Sequence, residues 1–166
     1  MHLQPSDALG PCLFPRHSFM TEEHWDWQHE WTIPSRAGAS RCVEEEIIHH
    51  LEDQHWSARD VFSVRLALEE ALVNAIKHGN HFDGTKSVQV ACQLSSGRLR
   101  IAIADEGDGF EPGDVPDPTD PAFIDRPSGR GIMLMRTFMT RVDFNARGNQ
   151  VILEKVRPHD GEPEQG

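Results

Sequence analysis

The chain has 166 residues, 37% of them hydrophobic, and a formal net charge of -11 at pH 7. This length predicts one globular domain with a real core and short tails, and it leaves no room for a second domain. The negative charge argues against direct nucleic-acid binding, because affinity for a duplex depends on lysines and arginines that neutralise phosphates.

Cysteine spacing and hydropathy indicate the compartment. Cys12, Cys42 and Cys92 lie far apart and lack the C-x-x-C spacing of a zinc or redox site. No apolar run approaches the ~20 residues needed to span a bilayer, and the amino terminus lacks the regions of a secretion signal. We therefore expect a cytoplasmic protein that does not bind membranes.

Three segments are predicted along the chain: an extension over residues 1–27, a domain over 28–157 and a polar tail over 158–166. The extension is rich in Pro, His and Trp without a regular period, so we expect it to be weakly ordered. His24 and His29 stand near acidic residues but lack a recognised metal-site spacing, and a solvated tail is the favoured interpretation.

The first predicted elements are a strand and a helix. Residues 31–34 resemble a short strand that ends at Pro34, and Ser35 or Ser40 is positioned to cap the helix that follows. The apolar stripe predicted for this helix consists of Val43, Ile47, Ile48 and Leu51.

A longer helix is predicted from a cap at Ser57 to about His78, with Gly79 as its stop. Its core stripe consists of Val61, Val64, Leu68, Leu72 and Ile76. Glu70, Asn74 and Lys77 share another face, and Phe62 and Leu66 precede them on it. This partly apolar face is typical of a helix that lines a pocket.

The remaining pattern predicts four strands, a loop and a short helix. Alternation predicts a hairpin over residues 88–103 that ends at Asp105 and places Cys92 in the core. The proline-rich stretch 110–128 predicts a surface loop, of the length that lids and binding loops have. A helix over 131–140 and strands over 141–145 and 150–156 complete the prediction of an α/β fold.

Three common nucleotide or cation sites are excluded. No G-x-x-x-x-G-K-[ST] phosphate loop occurs, and Gly107-Asp108-Gly109 lacks the third glycine of a dinucleotide fingerprint. A calcium loop of the EF-hand type also fails, because Gly107 stands where a ligand is required.

The pattern that remains is E-x-x-x-N-A-x-K-H-G at 70–79, D-x-G-x-G at 105–109 and G-x-G at 129–131. These motifs, in this order, resemble the N, G1 and G2 boxes of the GHKL ATPases, the superfamily of gyrase, histidine kinases and mismatch-repair ATPases. The opening Thr32-Ile33-Pro34-Ser35 and the run 131–136 look most like the anti-sigma factor serine/threonine kinases. The resemblance covers about 31–156 and implies a two-layer α/β sandwich of the Bergerat type, with a mixed, mostly antiparallel sheet and helices on one face.

The resemblance also implies a role for each motif residue. Asn74 would coordinate Mg²⁺, and Glu70 would act as base on the attacking hydroxyl. Asp105 would accept a hydrogen bond from the adenine amino group. The motif glycines would let the nucleotide approach the backbone closely, because they carry no side chain: Gly107, Gly109, Gly129 and Gly131.

Several cations near these motifs stay ambiguous. The family carries an arginine that contacts the terminal phosphate, and here Arg126 and Arg130 both remain candidates because Pro127 lengthens the segment. Lys77 and His78 match the N box and would meet the phosphates, although they are nearly as typical of cations at the end of an ordinary helix.

From this resemblance we expect an ATP- and Mg²⁺-dependent protein kinase that phosphorylates a serine or threonine of a STAS-type anti-anti-sigma protein and sequesters a sigma factor. A homodimer is a further expectation from the family. Two alternatives stay open: a nucleotide-gated binding switch without kinase activity, and an ATPase domain detached from a histidine kinase system.

Overall fold

The computed structural model describes residues 24–109 and 127–158, and five strands within these ranges form one antiparallel sheet. The strands are β1 (Trp27–Pro34), β2 (Ser87–Leu94), β3 (Arg98–Ala104), β4 (Arg141–Phe144) and β5 (Gln150–Val156). Their spatial order is β1-β2-β3-β5-β4, and each neighbouring pair runs antiparallel. The predicted extension up to residue 23, the loop at 110–126 with Arg126, and the tail from 159 lie outside the described residues.

The helices cover one face of this sheet and complete a two-layer α/β sandwich. They are α1 (Arg41–Asp53), α2 (Ala58–Val73) and α3 (Pro127–Phe138), and a π-helical turn (Asn74–Gly79) follows α2 directly. Alternate residues of the strands face the helices and are fully buried at Val90, Leu94, Leu99, Ile101 and Leu153. The predicted fold class is therefore confirmed.

The core confirms the apolar stripes predicted for both amino-terminal helices. Each predicted stripe residue is at most 8% exposed: Val43, Ile47, Ile48 and Leu51 in α1, and Val61, Val64, Leu68, Leu72 and Ile76 along α2 and the turn. Cys92 is 1% exposed, and burial raises the pKa of its thiol, as expected for a core cysteine. The Ser57 hydroxyl accepts a hydrogen bond from the Asp60 amide at 3.1 Å, which confirms the predicted cap.

Three predicted element boundaries were wrong. The edge strand β1 begins at Trp27 rather than Trp31, because Trp27 pairs with Leu94 and its ring stacks on His50 at 3.9 Å between centroids. The helix α3 begins at Pro127 rather than Gly131, since proline suits the first turn, where the missing N–H has no partner to lose. It ends at Phe138, so both G2 glycines lie inside its first turns.

The largest difference concerns the end of the long helix. We predicted one regular helix to about His78, but the α-helical hydrogen bonds stop at Val73 and a π-helical turn carries the chain to Gly79. The Asn80 amide donates to the carbonyl of Ala75, five residues earlier, and the Phe82 amide donates to Ile76. His81 and Phe82 then adopt left-handed backbone conformations, with φ of 52° and 55°, that turn the chain away from the helix.

Two exclusions follow within the described ranges. No helix there combines the length and hydropathy that a membrane-spanning segment needs. No three His, Cys, Asp or Glu side chains converge there as a metal site, and His24 pairs instead with Asp26 at 3.2 Å.

Candidate nucleotide site

Two groups of predicted site residues assemble at opposite ends of the π-helical turn. The first, which we call the glutamate corner, consists of Glu70, Asn74 and Gly131. The second, which we call the aspartate corner, consists of Gly79, Asp105 and Gly107. Because the turn runs from Asn74 to Gly79, it joins the two corners directly.

In the glutamate corner, the G2 glycine of α3 packs against the polar face of α2. A Cβ placed on Gly131 would lie 2.9 Å from Glu70 Oε2 and 3.0 Å from Asn74 Nδ2. Glu70 and Asn74 are one helical turn apart and partly buried, whereas Gly131 is buried. A carboxylate, a carboxamide oxygen and a bare backbone thus share one small space, which is the donor set expected for a magnesium–phosphate site.

In the aspartate corner, the N-box and G1 motifs touch. A Cβ placed on Gly79 would lie within 2.6 Å of all three carboxylate atoms of Asp105. A Cβ on Gly107 would overlap the carbonyl of Gly79, whose carbon would be only 2.7 Å away. Both glycines are therefore required by the close approach of the two motifs.

Asp105 is oriented by backbone hydrogen bonds on both sides. Its Oδ1 accepts from the Gly107 amide at 2.8 Å. Its own amide donates to the carbonyl of Asn149 at 2.9 Å, and its carbonyl accepts from Asn149 Nδ2 at 3.2 Å. The carboxylate is thus held in place at the end of β3, where it can act as a fixed acceptor.

Burial raises the pKa of Asp105. The Gly107 amide, and the positive charges of Arg147 and Lys86, oppose this shift by stabilising the carboxylate. The pKa of His78 is lowered by its partial burial and then by Lys77 and His81, while Glu70 acts in the opposite direction. His78 therefore favours its neutral form at the edge of the site.

The remaining predicted residues lie around the two corners rather than in them. Lys77 and Arg130 are exposed, and Gly129 lies in the first turn of α3. Gly109 has φ of 77° and packs on the turn between β4 and β5, where a Cβ would overlap the carbonyl oxygen of Arg147. The positive φ and the contact with the turn both require glycine at 109.

A separate cavity of about 560 Å³ lies where α1 meets α2, and none of the predicted site residues lines it. Its wall includes Trp56, Phe62 and Arg65. The cavity is therefore distinct from the two corners, and the site is defined by the close approaches at Gly79, Gly107 and Gly131 instead.

Sequence reasoning missed Asn80, the residue that follows the N box. Its side chain is completely buried and hydrogen-bonds to three other segments. An asparagine after a glycine is usually a turn residue, so its position alone gave no signal. The π-helical turn was missed too.

Comparison with known proteins agrees with this geometry. The profile of the histidine kinase-like ATPase domain matches residues 33–155. An anti-sigma F factor of Clostridium botulinum (strain Eklund 17B) is 36% identical over 86 residues, which are 48% of this chain and 57% of the relative. An anti-sigma F factor of Clostridium perfringens (strain 13) is 27% identical over 103 residues, which are 58% of this chain and 72% of the relative.

A solved structure shares the fold. The crystal structure of the RsbU and RsbW domains of Rv1364c from Mycobacterium tuberculosis aligns with a TM-score of 0.54 and 16% identity. The alignment covers 79% of this chain and 32% of that one. The match to the Clostridium botulinum relative likewise spans little more than half of that protein's length. With the N, G1 and G2 motifs gathered around one helical turn and the family profile matched over most of its length, the chain belongs to the histidine kinase-like ATPase domain family.

Proposed function

We propose that this protein is an ATP-dependent anti-sigma regulator with protein serine/threonine kinase activity. Its substrate would be a STAS-type anti-anti-sigma protein, and its regulatory target a sigma factor. The observation that carries the proposal is the convergence of Glu70, Asn74 and Gly131, because a general base beside a magnesium ligand is what phosphoryl transfer to a hydroxyl requires. The names of the two Clostridium relatives supply the regulatory context.

The aspartate corner is suited to hold the base of ATP. Asp105 offers a fixed carboxylate that accepts a hydrogen bond from the 6-amino group of adenine, and guanine lacks an amino group at that position. The backbones of Gly79 and Gly107 approach this carboxylate closely because neither residue carries a side chain. The corner therefore accounts for a preference for adenine nucleotides.

The glutamate corner is suited to the phosphates and the chemistry. Asn74 offers a carboxamide oxygen to Mg²⁺, which when bound neutralises phosphate charge. Gly131 and Gly129 lie in the first turns of α3, where the helix dipole favours anions. Exposed Arg130 and Lys77 add positive charge near this end in a chain whose net charge is -11.

Glu70 is assigned the role of general base. Its carboxylate accepts the proton of the substrate hydroxyl as that oxygen bonds to the terminal phosphorus of ATP and ADP leaves. Glu70 lies one turn before Asn74 on the same helix, so the base and the metal ligand are positioned together. A protein that only bound nucleotide would not need a base at this position.

The test is transfer from terminally labelled ATP, in the presence of Mg²⁺, to STAS proteins of the same genome. Wild type is compared with Glu70→Gln and with Glu69→Gln, a matched control because Glu69 is the exposed neighbour. We expect acid-stable label on the STAS protein with wild type and with Glu69→Gln only.

Each other outcome rejects part of the proposal. Retained transfer by Glu70→Gln rejects Glu70 as the base. Tight ATP binding without transfer to any STAS protein favours the nucleotide-gated switch. Label that is lost in acid places the phosphate on histidine and favours a histidine kinase system.

A further inference from the structure

Asn80 is completely buried, yet its polar side chain is fully engaged. Its Nδ2 donates to Ser35 Oγ at 2.7 Å and to the carbonyl of Ser87 at 3.0 Å. Its Oδ1 accepts from the amide of Glu106 at 2.8 Å. One side chain therefore connects the end of β1, the start of β2 and the loop that carries the G1 motif.

The two donor bonds fix which way the carboxamide faces. Ser35 is also completely buried, and its hydroxyl donates in turn to the carbonyl of Lys86 at 3.0 Å. With Nδ2 committed to Ser35 and Ser87, Oδ1 can only face the amide of Glu106. A buried carboxamide with all its partners present is costly to change, because any loss leaves a polar group unpaired away from water.

The bond between Asn80 and Glu106 lies one residue from the closest approach in the aspartate corner. Asn80 follows Gly79, and Glu106 follows Asp105. The hydrogen bond therefore sets the separation between the backbone at Gly79 and the carboxylate at Asp105. A second bond, from the Ser87 amide to the Glu106 carboxylate, holds the same loop residue from the other side.

We propose that Asn80 is a positioning residue that sets the selectivity of the site for adenine by holding Asp105 against Gly79. The inference rests on the proposed function, because it requires Asp105 to be the group that contacts the base. Asn80 itself touches no nucleotide; it acts through Glu106 and Asp105.

The chemistry of the pocket around Asn80 explains why asparagine is required there. An aspartate would lose both donor bonds and would bury a negative charge close to Asp105. A serine is too short to reach Ser35, Ser87 and Glu106 together. Only a carboxamide supplies two donors on one side and an acceptor on the other at this length.

The test measures binding of two nucleotides that differ only in the group that Asp105 contacts. These are ATP and purine riboside triphosphate, which lacks the 6-amino group. Dissociation constants are measured for wild type, Asn80→Ser, Ser35→Ala and Gln28→Ser. Gln28 is the matched control, since it is an exposed carboxamide on the edge strand β1.

We expect Asn80→Ser to weaken ATP binding about tenfold, the loss of roughly one well-placed hydrogen bond, and to leave the analogue within about twofold. The preference for ATP over the analogue should therefore collapse. Ser35→Ala should lower the preference less, since it leaves the bond to Glu106 in place, and Gln28→Ser should not change it.

An equal loss of affinity for both nucleotides would overturn the inference, because it would show a purely structural role. If Asn80→Ser does not fold, Ser35→Ala decides: an unchanged preference overturns the inference, and a reduced one supports it. Failure of the proposed function has a different signature, since wild type itself would then bind both nucleotides equally or bind neither.

Discussion

The two corners of the site are built in different ways. In the aspartate corner, Asp105 is hydrogen-bonded to the backbone of Gly107 and Asn149. Asn80 donates and accepts the hydrogen bonds that connect the loop after Asp105 to β1 and β2. In the glutamate corner, Glu70 and Asn74 project from one helix toward Gly131 on another, and the contact depends on how α2 and α3 pack. The first corner is fixed by the sheet; the second is fixed by a helix pair.

Under the proposed function, this difference would separate recognition of the base from phosphoryl transfer. Hydrogen-bonded backbone at the end of the central strand β3 gives a constant shape, which suits selection of a base. A contact between two helices can change when either helix shifts, which suits a step that depends on a partner. Phe62 and Phe138 join the far ends of α2 and α3 by an edge-to-face ring contact at 6.1 Å between centroids. A substitution that removes this ring contact should therefore displace the residues of the glutamate corner more than those of the aspartate corner.

The largest expected effect separates the corners by function. Glu70→Gln should lower the rate of phosphoryl transfer by about 10²–10⁴, the usual contribution of a general base, while ATP affinity changes little. Rates come from single-turnover transfer and affinities from calorimetry. A large loss of ATP affinity in this variant would contradict the division between the corners.

The next test disrupts the aspartate corner by sterics. Gly107→Ala should destabilise the protein by about 1–3 kcal/mol and weaken ATP binding by about tenfold or more, because the new methyl overlaps backbone that cannot move aside. Gly97→Ala is the matched control, since a Cβ there meets nothing within 4 Å. Thermal unfolding and calorimetry measure the two quantities, and equal behaviour of both variants would refute the contact.

The third test uses pH. The raised pKa of Asp105 means that the folded state binds this proton more tightly than the unfolded chain does. Burying the charged Asp105 carboxylate therefore lowers the free energy of unfolding by its full amount at pH values above the raised pKa. This cost disappears as pH falls toward the ordinary pKa of aspartate. Asp105→Asn should accordingly stabilise the nucleotide-free protein at neutral pH, with a benefit that shrinks as the pH is lowered.

ATP binding should show the opposite trend with pH. Protonation removes the charged acceptor, so wild-type affinity should fall as pH drops through the raised pKa, by less than about tenfold. Asp105→Asn should bind ATP weakly with no such dependence on this carboxyl. A rise in wild-type affinity on acidification would contradict the role of Asp105.

The smallest expected effect is at Gly131. Alanine gains about 1 kcal/mol over glycine inside a helix, and this gain should offset the crowding of Glu70 and Asn74, whose side-chain ends can rotate away. Stability should therefore change little, while phosphoryl transfer falls because both groups have moved. Unfolding and transfer assays on Gly131→Ala measure this contrast with Gly107→Ala, and a loss of stability as large as at Gly107 would show that the glutamate corner is equally rigid.

Much of the fold was predictable because its signals are local. The alternation in β2 and β3, the stripes of α1 and α2, and the cap at Ser57 each depend on residues close in sequence. The convergence of the three motifs was expected only from the family resemblance. The earlier start of β1 was missed although Trp27, His29, Trp31 and Ile33 alternate, because Trp27 was assigned to the extension over residues 1–27.

The details that sequence reasoning missed depend on contacts distant in sequence. Asn80 acquires its role from Ser35 and Glu106, which lie 45 and 26 residues away. The start of α3 was placed too late because Pro127 was grouped with the proline-rich stretch before it. The role of Asn80 follows from tertiary packing, which single-residue propensities do not contain.

The π-helical turn has a consequence for how insertions and deletions act in this protein. A π-helical turn contains one residue more than the α-helical turn it replaces, so its removal is a single-residue edit. Deleting Ala75 or Ile76 should therefore let this turn close into α-helical hydrogen bonds and keep Gly79 on the side of the helix that faces Asp105. The same deletion inside α2 would instead rotate every later residue by about 100° around the helix axis and move Gly79 away from Asp105.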